Sequence, residues 1–207
     1  MTQIRYRCWL IAALSLFTAC VSAPTAMPTL ASATVVSDFG TYELKRIAVV
    51  PLAGLALDGG LDMVLQSSLA AEFQAASDIE WVTLRSEELV GIKGFEPHQS
   101  GRYSAESILT LAQRHRLDGL LVVTVTDRQS HPPQRLGLQA VLLSTETGLS
   151  LWQAQVQVDA ADGRTRRAAE TWAESRGGDL SDDHWELVLL SPRRFVILAA
   201  AQLAAVF

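Results

Sequence analysis

Four histidines, His98, His115, His131 and His184, are the first residues to weigh for metal or acid–base chemistry, and no two stand at helical i, i+4 spacing. A zinc site made by one helix needs that spacing. Asp182-Asp183-His184 could collect a metal, but the same trio reads as caps and first-turn acids at a helix start. Glu87 and Glu88 are neighbours, about 100° apart on a helix, which separates their carboxylates. Gly54 to Gly60 (GLALDGG) has phosphate-loop spacing without the lysine that would hold a phosphate, so it reads as a turn. Gly91-Ile92-Lys93-Gly94 has the form of a nucleotide-backbone clamp in a chain of the wrong charge. There is no Gly-x-Ser-x-Gly elbow. Arg164, Arg166 and Arg167 form a basic patch that could meet anionic headgroups or cell-wall carboxylates, or simply stand solvated at a helix start. These patterns specify no catalytic residue, no metal ligand and no cofactor, and none demands an enzyme.

The two cysteines are different. Arg5 and Arg7 precede an eleven-residue apolar run, Trp9 to Ala19 (WLIAALSLFTA). Crossing a bilayer core takes about 20 helical residues, so the run suits a signal-peptide core rather than a span. It ends Phe17-Thr18-Ala19-Cys20, which resembles the lipobox of bacterial lipoproteins, with Phe17 where leucine is usual. The expectation is a signal peptide over residues 1–19, cleavage before Cys20, and lipid (palmitate among it) on Cys20. Two readings stand beside it: ordinary cleavage at Val21-Ser22-Ala23, or an uncleaved anchor. Under lipidation Cys8 leaves with the signal and Cys20 carries the lipid, so no thiol remains for a disulfide, a metal or catalysis.

Without Arg5 and Arg7 the 17 basic residues fall to 15 against 22 acidic ones, a net charge of −7. That sign argues against nucleic acid as a partner. With 49% of residues apolar, the 188 residues after the signal suit one core and one domain. Val21 to Ser37 carries no charge and is rich in Ala, Ser, Thr and Pro, so residues 20–40 are expected to be a lipidated flexible tether, and 41–207 the domain.

Within the domain, Arg46 to Leu52 (RIAVVPL) has the apolar, β-branched character of a buried strand. Leu61, Val64, Leu65, Leu69, Phe73 and Ala76 recur at helical spacing. Glu80 to Leu84 is a second short strand, and Ser104 caps a helix running to about His115. Gly119 to Asp127 (GLLVVTVTD) is apolar on both faces, as at the centre of a sheet. Leu136 to Leu143 and Leu149 to Val158 form a hairpin turned at Gly148, with Trp152, Ala154, Val156 and Val158 facing inward and Gln153, Gln155 and Gln157 outward. Helices are expected over Arg164 to Arg176 and after Ser191-Pro192, within a helical C-terminal part, 161–207. The fold class is α/β: a single sandwich domain with a mixed, partly antiparallel sheet of about five strands flanked by helices. Leu187 to Phe207 is apolar, but Pro192-Arg193-Arg194 interrupts it, which favours a buried helix over a membrane span. Its last part is apolar nearly all round, so its Ala-rich side is expected to be covered by another helix, by a partner or by self-association.

Arg46-Ile47-Ala48-Val49-Val50-Pro51-Leu52, Trp81-Val82-Thr83-Leu84, Leu117 to Val123 and the Thr147-Gly148-Leu149-Ser150-Leu151-Trp152 hairpin, taken in this order, resemble a bacterial envelope group. That group comprises the TolB N-terminal domain, the penicillin-binding-protein activator lipoprotein LpoB and the curli secretion lipoprotein CsgG. The resemblance spans Lys45 to Val158. It implies a non-enzymatic interaction or assembly module of the cell envelope, with an envelope protein as partner. The short, Pro-broken Arg128 to Arg135 leaves no room for a pore-forming hairpin, and the tether is shorter than the activator's. Val21 after the lipidated cysteine points to the outer membrane, with the domain facing the periplasm. A cell-wall or polysaccharide-processing enzyme and a component of an export complex are the alternatives.

Overall fold

The computed structural model describes residues 27–90, 92, 104–176 and 185–207. Among them seven strands form one mixed sheet: β1 Ala31–Val35, β2 Arg46–Val49, β3 Ala53–Gly54, β4 Glu80–Thr83, β5 Gly119–Gln129, β6 Arg135–Ser144 and β7 Ser150–Asp159. The order across the sheet is β1-β7-β6-β5-β2-β4, with β3 pairing β5. β4, β2 and β5 run parallel, while β5, β6, β7 and β1 are antiparallel. Five helices flank the sheet: α1 Leu61–Ala76, α2 Ala105–His115, α3 Gly163–Arg176, α4 Glu186–Leu190 and α5 Pro192–Ala204. The α/β class follows from the sequence as expected.

The strand count is corrected from about five to seven. β3 is a two-residue bridge that no periodicity could reveal. Gly54, at φ 85°, lies so close to Val125 O that a Cβ would collide with the carbonyl, so only glycine lets this bridge form. β1 is the larger correction. Residues 20–40 are not all tether, because Ala31 to Val35 pairs with Val156 to Trp152 along β7. The segment is in contact with the domain from Met27, which packs against the core. Ala, Ser and Thr fit an exposed edge strand as well as a loose linker, and composition does not separate the two.

One face of the sheet carries the main core. Ile47, Val49, Leu121, Val123, Leu138, Leu142, Trp152 and Val156 meet Leu65, Leu69 and Phe73 of α1 and Phe195, Leu198 and Leu203 of α5. The expected side-chain alternation of the hairpin holds: Trp152, Ala154, Val156 and Val158 are buried, and Gln153, Gln155 and Gln157 are exposed. Gly148, at φ 71°, makes the turn. Ser191 caps α5, its Oγ accepting from Arg194 N, with Pro192 at the first helical position. Both sides of α5 are covered from within the chain: Leu198, Ala199 and Ala200 are fully buried, and Ala201 and Ala204 are buried beside them. Its Ala-rich side, expected to be covered by another helix or by a partner, is thus buried within the chain itself. No helix among the described residues is long and apolar enough to cross a membrane.

Among the described residues the opposite face is covered on one half only. Ile108 and Leu111 of α2 pack over Ala48, Val50, Leu120 and Val122, building a second, smaller core. Over β6, β7 and β1 the described residues place nothing.

Candidate interaction surfaces

The bare half of the sheet is built by register. Ser32 pairs with Gln155, which pairs with Gln139, which pairs with Thr124; beside that row Thr34 pairs with Gln153 and Gln153 with Val141. Paired residues share a face, so amides and hydroxyls line up in one row across four strands and in a second across β1 and β7. Gln139, Gln153, Gln155, Ser32 and Thr34 are all exposed, and they line a shallow groove of about 170 Å³. Its chemistry is uncharged hydrogen bonding. One end is closed by Asp127, which accepts from Gln157 Nε2 at 3.3 Å and pairs with Arg135 Nε at 2.6 Å. β1 forms the sheet's edge and carries no charge along its length. Natural edges are usually guarded by lysine or proline, so this edge is open to pairing.

A second concavity of about 330 Å³ lies beyond the carboxyl ends of β2 and β4, where open α/β sheets often take ligands. Two of its polar groups, Gln66 and Asp62, are engaged with backbone. Gln66 Nε2 donates to Val49 O at 3.0 Å and Leu84 O at 2.8 Å, and Asp62 Oδ1 accepts from Leu57 N at 3.0 Å. What remains facing outward is Leu55, Met63 and the solvated Arg85 and Glu87.

The third surface surrounds the point where the chain joins the domain. Leu30 N donates to Gln202 Oε1 at 2.7 Å, and Arg164 Nη2 donates to Thr29 O at 2.9 Å. Two polar side chains from distant helices thus hold the backbone just before β1. Beside it Pro132, Pro133, Ala160, Trp185, Leu189 and Leu190, together with the charged Arg166 and Glu186, line a largely apolar hollow of about 650 Å³. Gln134 Nε2, donating to Leu189 O at 3.0 Å, fixes α4 against the β5–β6 turn. At the same end of the sheet Arg128 pairs with Asp58 at 2.9 Å. Hydrogen bonding from Arg128, its charge, and the Ser130 hydroxyl hold the Asp58 carboxyl below the ordinary carboxylate range.

Comparison with known proteins adds a statement about architecture. The PelC dodecamer from Paraburkholderia phytofirmans is similar at 13% identity, over 67% of this chain and 89% of that one, with a TM-score of 0.46. Lipoprotein GNA1162 from Neisseria meningitidis is similar at 21% identity, over 55% and 79%, with a TM-score of 0.38. The LpoB C-terminal domain from Salmonella enterica, from the group that the sequence resembles, is similar at 14% identity, over 56% and 83%, with a TM-score of 0.38. The likeness is one of fold. No family model and no curated protein matches the chain.

The residues singled out from sequence are dispersed. His115 ends α2, before β5 begins, and His131 follows the far end of β5, so the two lie at opposite ends of that strand. His98, Lys93, Gly91, the Asp182-Asp183-His184 trio, and Cys20 with Phe17, Thr18 and Ala19 lie outside the described residues. Among the described residues no three His, Cys, Asp or Glu side chains gather as a metal cluster would. Glu88 caps its own turn, its carboxylate accepting from Arg85 N at 2.7 Å. Sequence reasoning missed the roles of Arg164 and Gln202. Gln202 is fully buried within α5, and a glutamine inside an apolar helix is the available signal that a buried backbone group needs a partner.

Proposed function

We propose that this protein is an outer-membrane lipoprotein facing the periplasm, cut before Cys20, lipidated there, and acting as a non-enzymatic docking module for an envelope protein. The observation that carries the docking part is the bare amide-and-hydroxyl half-face of β6, β7 and β1. The solvated face of an antiparallel sheet is polar, and this one is polar without charge. Here Gln139, Gln153, Gln155, Ser32 and Thr34 offer donors and acceptors with no net charge, on a rigid sheet beside an unguarded edge strand. Such a surface pairs with polar side chains and backbone of a partner at little desolvation cost.

The test is site-specific photo-crosslinking of the full chain in its own cells, with a photoreactive residue at Gln155 and, as control, at Glu170 on the exposed side of α3. A discrete adduct from position 155, absent from 170, is the expected result. Equal patterns at both positions, or none at 155, would contradict docking on this face.

A further inference from the structure

β1 turns a row of backbone groups away from the sheet. Val36 N donates to Leu151 O at 3.0 Å, on the same register that pairs Ala31 with Val156 and Val35 with Trp152. In an antiparallel ladder only alternate residues turn their N–H and C=O toward a given neighbour. Ser32 and Thr34 therefore bond β7, while Ala31, Ala33 and Val35 point theirs outward. Among the described residues nothing takes these groups up. The sheet's other edge, β4, is four residues long and carries Glu80, paired with Arg46. β1 has no such guard: Met27 to Ser37 is uncharged, and Ser32 to Val35 are all exposed.

The same five residues are complementary to themselves. Run antiparallel about Ala33, two copies of Ala-Ser-Ala-Thr-Val set Ala33 against Ala33, Ala31 against Val35, and Ser32 against Thr34. The three outward-turned residues of one copy then meet the three of the other, so donors and acceptors pair in phase. A shift of one residue would set outward groups against inward ones and lose every bond. On the core side, Ala31 of each copy lies against Val35 of the other, which is otherwise 53% exposed. On the polar side hydroxyl meets hydroxyl. Beyond the strand ends the same two-fold brings the exposed Asp38 of each copy toward the exposed Arg164 of the other, whose Nη2 donates to Thr29 O at 2.9 Å. Neither side chain forms an ion pair among the described residues. A two-fold contact of one surface with itself closes at two copies.

We propose that the protein pairs with a second copy of itself through β1, antiparallel about Ala33, so that two sheets join into one. This pairing rests neither on the lipid anchor nor on docking at the half-face. It sets the two uncharged half-faces side by side as one surface, with Ser32 and Thr34 of both copies at its centre.

The test is disulfide cross-linking of full-chain cysteine variants in whole cells treated with the permeant oxidant diamide. In the paired strands the Cα atoms stand about 5.5 Å apart at Ala33 and about 4.5 Å apart between Ser32 and Thr34, both within disulfide reach. Ala33→Cys is expected to give a disulfide-linked homodimer, well above any that the unaltered chain forms through Cys8 or Cys20. Leu149→Cys, exposed at the hairpin turn, should add none. Ser32→Cys and Thr34→Cys, made together with tags of different length, should link to each other more than either links to itself. No dimer at position 33, or one no stronger than at 149, overturns the proposal. A mixed pair that links no better than the single variants also overturns it, by putting the contact elsewhere or in another register. So does an adduct at 33 whose mass is not that of two copies, in favour of a different protein on this edge.

Discussion

Trp152→Ala is expected to cost about 3–5 kcal/mol of stability, a large share of the roughly 5–15 kcal/mol of an ordinary domain. Trp152 is 2% exposed and lies in an aromatic cluster, with ring centroids 5.7 Å from Phe73 and 5.5 Å from Phe207, both edge-to-face. Phe207 in turn meets Phe73 at 5.2 Å and Trp81 at 5.4 Å. The indole Nε1 donates to Val206 O at 3.1 Å, which ties β7 to the C-terminus. Alanine leaves a cavity, removes the edge contacts, and orphans the Val206 carbonyl. Trp152→Phe should recover part of the loss through packing without restoring the hydrogen bond. Chemical denaturation of the full chain reads this directly; an unchanged midpoint would refute the packing described for β7.

Removing Ser191 to Phe207 should abolish cooperative unfolding altogether. Phe195, Val196, Leu198 and Leu203 are each no more than 3% exposed. At roughly 1.5–3 kcal/mol apiece, their burial contributes about 6–12 kcal/mol, comparable with the whole stability of a small domain. The deletion also uncovers Leu65, Leu69 and Phe73 of α1 and removes Gln202, the partner of Leu30 N. Calorimetry of the truncated chain should show no two-state transition. A truncated chain that melts like the full one would make α5 an appendage, contrary to its burial.

These two dependences were visible in the sequence because they rest on strong periodicity. Trp152 alternates with three glutamines, and that alternation assigns each side chain to a face once the strand exists. The Ser191-Pro192 pair starts α5 by a local rule, independent of what the helix packs on. What was not visible depends on contacts far apart in the chain. β1 is a strand because β7 offers it an edge, not because Ala-Ser-Ala-Thr-Val insists on one. α4 is five residues, too short for a helical pattern, and is held by Gln134 from across the fold. The cover of α5 comes from α1, α4 and the sheet, which no reading of α5 alone could supply.

The same division applies to function. Outward glutamines were legible one by one, but their alignment with Ser32 and Thr34 needed the unforeseen strand β1. The arginines at 164, 166 and 167 were legible as a patch. That Arg164 holds Thr29, and so sets the distance from Cys20 to the folded domain, required the structure.

The measurement that tests the central claim most directly is the mass of the N-terminal peptide of the protein isolated from membranes. The account predicts a chain beginning at Cys20, with a diacylglycerol on its sulfur and an acyl group on its amine. A chain beginning after Ala23, or one retaining Met1 with an unmodified Cys20, would contradict it.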